Sequence, residues 1–230
     1  LFPKIKLVKN TENRGFAGGC NDGIKVAKGD TILLLNSDTK LINDAISITY
    51  DFLNKHQNIG IVTCRLENID GSPQNNCQAF PKIKNILMGL FRINKFLPTS
   101  KVSKIFYGLY FNYLEIAYPD YVWGTFFMFP TNLLNIFPNQ LLPETFWMYV
   151  EDVEWCWLAK HAGYEIAFVP NGKVLHYGGN HHPEAEKMIH DNYNQFIKLY
   201  YNKINACIII GLLKILDWSQ WRKWFAKNKE

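Results

Sequence analysis

A chain of 230 residues with 48% hydrophobic and 15% aromatic residues can close one large domain or two small ones, which excludes global disorder. The net charge of +5 suits nucleotides, phospholipid surfaces or nucleic acid and selects none of them. Five scattered cysteines, at 20, 64, 77, 156 and 207, argue against a disulfide framework and a CxxC zinc site, and point to a reducing, cytoplasmic compartment.

The opening "LFPKIKLVKN" mixes lysines into its apolar residues, unlike a signal peptide. Within it, "KIKLVKN" reads as a short strand. "NTENRGFAGGCNDG" must turn, and "FAGGCNDGIKVAKG" reads as a helix closing on Gly29. "TILLLN" is a continuous apolar run, as in a strand buried on both faces. "NDAISITYDFLNKH" has helical spacing with Asn43 as its N-cap, and "IGIVTCRL" is another strand. Strands alternating with helices predict an α/β fold whose ligands bind at strand carboxyl ends. "ENIDGSPQNNCQAFP" is turn-rich, with Asp70-Gly71 as a hairpin tip. Residues 82–118 are basic and aromatic, and helices are expected there, mobile or facing a membrane. "YVWGTFFMF" reads as one strand in which Gly124 permits close backbone approach. "EDVEWCWLAKHAG" is a helix ending at Gly163, and "YEIAFVP" and "KVLHYGG" are two further short strands. No stretch reaches the roughly 18–20 apolar residues of a membrane-spanning helix; "ACIIIGLLKIL", residues 206–216, comes nearest and is interrupted by a lysine.

Four stretches carry chemistry. The glycines of "NRGFAGGCNDG" fall at 15, 18, 19 and 23, which breaks the GxGxxG spacing of a dinucleotide loop and disfavours a Rossmann dehydrogenase. That loop either presents backbone N–H groups to phosphate or sugar, or serves as a tight turn. Asn36-Ser37-Asp38 follows a strand: Asp38 suits Mg²⁺ or Mn²⁺ and Asn36 a sugar hydroxyl, while an Asx-turn is the plainer alternative. Glu151 and Asp152 open a helix behind Phe146, Trp147 and Tyr149, as a general base would, or simply as the helix dipole favours. His176 precedes Gly178-Gly179, with His181 and His182 nearby, but without zinc-site spacing.

In this order, these segments resemble family 2 inverting glycosyltransferases, most nearly the rhamnosyltransferase-like members that build bacterial surface polysaccharides. "NRGFAGGCNDGIKVAKGDTILLLNSDTKL", "DGSPQNNCQAFP", "VWGTFFMF" and "LPETFWMYVEDVEWCWLAKHAGYEIAFVPNGKVLHYGG" carry the likeness over roughly residues 5–200. The resemblance implies a GT-A-type α/β sandwich, with a mixed, mostly parallel sheet and helices on both faces. It implies a nucleotide-binding part at 1–80, a flexible segment at 82–118, an acceptor part at 119–200 and a tail at 201–230. It also implies a UDP- or dTDP-sugar donor, a glycan or lipid-linked acceptor, a divalent metal (Mn²⁺ or Mg²⁺) and no nucleic acid. By the same likeness Asp152 is the base, and Asn13, Gly15, Phe16, Gly18, Asn21, Asn36 and Asp38 hold the donor. Trp123, Gly124, Thr125, Trp147 and Glu151 face the acceptor, and Asp38 and His176 hold the metal. The family usually opens on a strand that this chain lacks, so an N-terminal truncation is expected. Its unpaired sheet edge would invite a homo-oligomer, and a non-catalytic partner- or glycan-binding module is the alternative function. Leu158 and Lys160 stand where members often carry arginines. A sugar-nucleotide pyrophosphorylase is disfavoured because no Gly-rich signature with a following lysine stands near the start.

In the tail, Trp218, Trp221, Trp224 and Phe225 recur at helical spacing among Arg222, Lys223, Lys227 and Lys229. Interfacial helices place aromatics and cations this way, so peripheral membrane contact through 206–230 is expected, at the inner face of the plasma membrane.

Overall fold

The computed structural model describes residues 5–96, 111–178 and 183–227, with side chains at all of them except 94, 95 and 217–227. Two compact units emerge, one from Leu1–Cys77 with Tyr113–Asn180, the other from Gln78–Asn112 with His181–Glu230.

The first unit is an α/β sandwich. Its elements in chain order are α1 (Gly15–Ile24), β1 (Thr31–Leu35), β2 (Thr39–Leu41), α2 (Ala45–Lys55), β3 (Ile59–Glu67), β4 (Cys77–Gln78, at the unit boundary), then, past α3 (Ile83–Leu90) of the second unit, β5 (Tyr121–Val122), β6 (Phe126–Pro130), α4 (Glu151–His161) and β7 (Glu165–His176). The main sheet has the order β1-β6-β3-β7-β2. β3 and β7 pair in parallel, from Ile59↔Glu165 to Glu67↔Leu175, and the other three pairings are antiparallel. The sheet is therefore mixed: β1, β3 and β7 run one way, β6 and β2 the other. The carboxyl ends of β1, β3 and β7 share one edge.

Helices cover both faces because side chains alternate across the strands. Phe126, Met128, Val62, Cys64, Ala167 and Val169 pack with Ala45 and Leu53 of α2. On the opposite face Phe127 meets the buried Trp155 of α4 edge-on, with centroids 5.7 Å apart.

Several elements differ from their sequence reading. Residues 5–10 form no strand; Ile5 and Leu7 are exposed, and no described strand lies beside them to supply a ladder. α1 stops at Ile24 with Lys25 as its C-cap, before Gly29. β1 is an edge strand among the described residues, so its burial alternates and Leu35 is exposed. The N-cap of α2 is Asp44, whose side chain accepts from the Ser47 N–H at 3.3 Å, rather than Asn43. Asn43 ties the bulge of β7 instead, donating to Asn171 O and accepting from Lys173 N. The two short strands after α4 are one long strand, β7, that absorbs its Pro170-Asn171-Gly172 interruption as a bulge opposite Cys64 and Arg65. "YVWGTFFMF" is split into β5 and β6, with Gly124 between them. Gly71 takes φ +81 at the expected turn, and α4 ends as expected, with Gly163 at φ +94. All five cysteines are free.

The second unit is helical where described: α3 (Ile83–Leu90), a 3-10 turn at Ile93–Phe96, α5 (Pro183–Tyr200) and α6 (Lys203–Lys227). Phe80, Tyr193, Tyr200 and Tyr201 ring the buried Phe196. Among the described residues no helix is long and apolar enough to cross a membrane. His181, His182, Gly179, most of the 82–118 segment's second half, and the side chains of Trp218, Trp221, Trp224 and Phe225 lie outside the described residues.

Trp155 anchors α4 to the sheet, so Trp155→Ala should lower unfolding free energy by about 3–5 kcal/mol in urea titration. A loss under about 1 kcal/mol would mean that α4 is held elsewhere.

Candidate active site

The shared carboxyl edge begins where β1 ends. Asn36 N–H donates to Thr125 O at 3.0 Å, and Thr39 Oγ1 donates to Asn36 O at 2.6 Å. The chain turns through Ser37 and Asp38 and returns as β2, whose Thr39 lies opposite His176 at the end of β7. Tyr177 N–H donates to Asp38 O at 2.9 Å, so the turn and the strand end are stitched together.

His176 Nε2 lies 3.3 Å from Asp38 Oδ2. Its other nitrogen, Nδ1, lies 2.7 Å from Gln74 Oε1. The amide of Gln74 is oriented independently, because its Nε2 donates to Asn68 Oδ1 and to His176 O. Gln74 Oε1 is thus an acceptor and His176 Nδ1 must carry hydrogen. With Nδ1 as the donor, Nε2 presents a lone pair toward a carboxylate oxygen, an arrangement that favours a cation between them. A carboxylate and an imidazole whose distal nitrogen is held by a side-chain oxygen are a donor set suited to a divalent cation such as Mn²⁺, so these residues fit the metal that the sequence implies. No cluster of three or more His, Cys, Asp or Glu exists among the described residues, so the remaining ligands would come from phosphate or water.

The other end of the edge holds Asp152. Its Oδ2 accepts from Gly124 N–H at 2.9 Å and its Oδ1 lies 2.9 Å from Val153 N. A Cβ at position 124 would stand 2.9 Å from Phe16 Cε1, so the close approach requires glycine. Phe16 in turn stacks on Trp155, and its N–H donates to Trp147 O at 2.9 Å. Gly15, at φ +71, lets the chain pass there, since a Cβ would fall 2.0 Å from Trp147 O. Two consecutive non-glycine residues, Tyr149 and Val150, have φ of 65° and 74° just before α4. For the β-branched Val150 this is strained backbone, and it delivers Glu151 and Asp152 at the helix start.

Both carboxyls are harder to ionise than usual. Burial raises the pKa of Asp152 against the hydrogen bonds from Gly124 and Val153. Burial raises that of Glu151, helped by the neighbouring Asp152 charge. Glu151 is buried and its Oε2 has no hydrogen-bond partner among the described residues.

Asn36, Thr125, Gly124 and Asp152 are thus joined in one hydrogen-bonded run, with Asp38 and His176 at one end and Glu151, Phe16 and Trp147 around the other. Trp147 is 47% exposed, open to a ligand. Trp123 packs partly into the core, and its N–H donates to Asn76 O. Asn13 closes a turn by accepting from Gly15 N–H. Gly18 and Asn21, expected against the donor, both make close contacts within the protein. Gly18 is buried where a Cβ would clash with Arg14 Cβ at 2.7 Å. Asn21 is buried and uses both amide hydrogens, on Leu142 O and Glu144 Oε1, while its Oδ1 accepts from Leu142 N–H. Arg14 extends the same clasp to Asp22 and Glu144. Sequence reasoning missed Gln74; it sat within the turn-rich "DGSPQNN", and only pairing with a strand end about a hundred residues away gives it a role.

A solved structure of GalNAc-T7 with UDP, GalNAc and Mn²⁺ is similar over 84% of this chain and 36% of that one, with TM-score 0.53 and 14% identity. That likeness shows the fold, a GT-A-type glycosyltransferase sandwich. The chain belongs to glycosyl transferase family 2, whose model matches residues 1–140. Asp38 and Gln74 lie inside that stretch, and α4 and His176 beyond it. No curated protein matches the chain.

Gln74→Leu frees the His176 ring, and should weaken Mn²⁺ binding about 10–100-fold by calorimetry; unchanged affinity would remove Gln74 from the site. Because Glu151 and Asp152 hold protons in the folded state that the unfolded chain releases above about pH 4, stability should fall as pH rises from about 5 to about 8. Glu151→Gln should flatten that slope, and an equally steep profile in the variant would contradict the assignment.

Proposed function

We propose that this protein is an inverting glycosyltransferase. It moves a sugar from a UDP- or dTDP-sugar to a hydroxyl of a growing bacterial surface polysaccharide or lipid-linked glycan. The observation that carries this reading is the hydrogen-bonded run from Asp152 through Gly124 and Thr125 to Asn36, which places a carboxylate with raised pKa and the Asp38–His176 pair on one strand edge.

In this reading Asp152 takes the proton of the acceptor hydroxyl as its oxygen attacks the anomeric carbon. The bond to the diphosphate breaks on the opposite face, the configuration inverts, and no covalent intermediate with the protein forms. A raised pKa brings the base nearer to neutrality, where proton transfer in the transition state is most effective. Gly124 N–H fixes the carboxylate's direction. Asn36 holds a donor hydroxyl, Trp147 offers the acceptor sugar an apolar face, and Glu151 helps to position the acceptor. Asp38 and His176 would hold the divalent cation, which when bound offsets charge on the departing diphosphate. Peripheral membrane contact through 206–230 would suit a lipid-linked acceptor, and belongs to the same proposal.

Release of nucleoside diphosphate from a panel of UDP- and dTDP-sugars with Mn²⁺ and acceptor tests it. Wild type should turn over, and Asp152→Asn should lose about 10²–10⁴-fold in kcat while binding UDP unchanged. Full activity in Asp152→Asn would take the base elsewhere; no turnover by wild type with any donor would favour a non-catalytic glycan-binding module.

A further inference from the structure

The bulge in β7 builds a second feature, separate from the run that ends on Asp152. Register between β3 and β7 jumps from Cys64↔Val169 to Arg65↔Lys173, so Pro170, Asn171 and Gly172 are looped out. The loop is held in place: Asn43 bonds both Asn171 O and Lys173 N–H, and a Cβ at Gly172 would lie 2.9 Å from Cys64 Cβ. Beside it opens a cavity of about 330 Å³ lined by Arg65, Tyr113, Leu114, Pro170, Asn171 and Lys173.

Two cations face this cavity from directly paired positions, and like charges in register on neighbouring strands repel. Glu67 offsets only one of them, through a 2.7 Å contact with Arg65 Nε. The terminal nitrogens of the Arg65 guanidinium have no partner among the described residues, although the side chain is only 16% exposed. A half-buried, unused guanidinium fork beside a lysine is the arrangement that binds phosphoryl oxygens, the arginine by paired hydrogen bonds and the lysine as a point charge. Three residues after Lys173 the same strand ends on His176, so the cavity stands about 10 Å along the strand from the candidate active site, its lysine on the opposite face from the imidazole.

We infer that Arg65 and Lys173 form an oxyanion site for a phosphoryl group, distinct from the Asp38–His176 seat, and that it receives the phosphate of the acceptor. The assignment to the acceptor rests on the glycosyl-transfer reading; the anion site does not.

Calorimetric titration of the full chain with inorganic pyrophosphate in EDTA tests the site without metal or turnover. Wild type should bind, Arg65→Gln and Lys173→Gln should each weaken binding about tenfold or more, and Asp38→Ala should bind as wild type does. Lys173→Gln relieves the like-charge pair, so its melting temperature without ligand should not fall, which keeps a folding defect apart from a binding defect. Pyrophosphate should raise the melting temperature of wild type by more than that of Lys173→Gln at the same concentration. Farnesyl diphosphate distinguishes the source: tighter binding than pyrophosphate marks a lipid-linked acceptor, and equal binding marks recognition of the phosphoryl group alone. The site is refuted if wild type binds neither probe, if both glutamine variants bind like wild type, or if Asp38→Ala abolishes binding. Absence of sugar transfer with pyrophosphate binding intact would overturn the acceptor assignment and leave the anion site standing.

Discussion

The contact between Asp38 and His176 is the constraint on which this architecture turns. Residues 138 positions apart meet at 3.3 Å only because three things hold at once. The chain after β1 must reverse immediately into β2, β2 must pair with the last residues of β7, and β7 must run unbroken through its bulge to reach that point. Gln74 then orients the imidazole from a fourth segment, the turn after β3, which is itself anchored by Gln74 N–H on Leu66 O. A two-residue site built this way demands a rigid sheet, since either partner shifting by an ångström would separate them.

The opposite end of the edge is built by crowding. Gly15 and Gly124 are places where main chain and ring approach too closely for any Cβ, and the strained Tyr149–Val150 pair lies in the chain between their neighbours Trp147 and Asp152. Strain of order 1–3 kcal/mol per residue persists only where surroundings over-determine the backbone. Here they do: Phe16 is held between Gly124 and Trp155, and the Arg14–Asp22–Glu144 clasp with Asn21 fixes the segment before the strained pair. The result is two carboxyl groups presented at a helix start with little water around them, which raises the pKa of both.

Much of this was legible in the sequence, unevenly. Apolar runs and a Gly C-terminus placed α4, and the acceptor-rich Asn36-Ser37-Asp38 marked the end of a strand, because both signals are local. The packing of Gly18 against Arg14 and of the Asn21 amide on Leu142 was not legible, because motif likeness carries no information about contacts between distant segments. "YEIAFVP" and "KVLHYGG" looked like two strands since Pro170 and Gly172 are breakers; parallel pairing with β3 on both sides overrides them. Gln74, Arg65 and Lys173 gave no signal, for the meaning of Gln74 lies in hydrogen bonds to a distant strand end and that of Arg65 and Lys173 in cross-strand register.

The central claim is that Asp38 and His176 hold a divalent cation together with a nucleoside diphosphate. Pulsed electron paramagnetic resonance of the protein with Mn²⁺ and UDP reads this directly. The account predicts nuclear modulation from one directly bound imidazole nitrogen that disappears in His176→Gln. A Mn²⁺–UDP complex that forms with no imidazole nitrogen coupling, or with a coupling that survives His176→Gln, would contradict it.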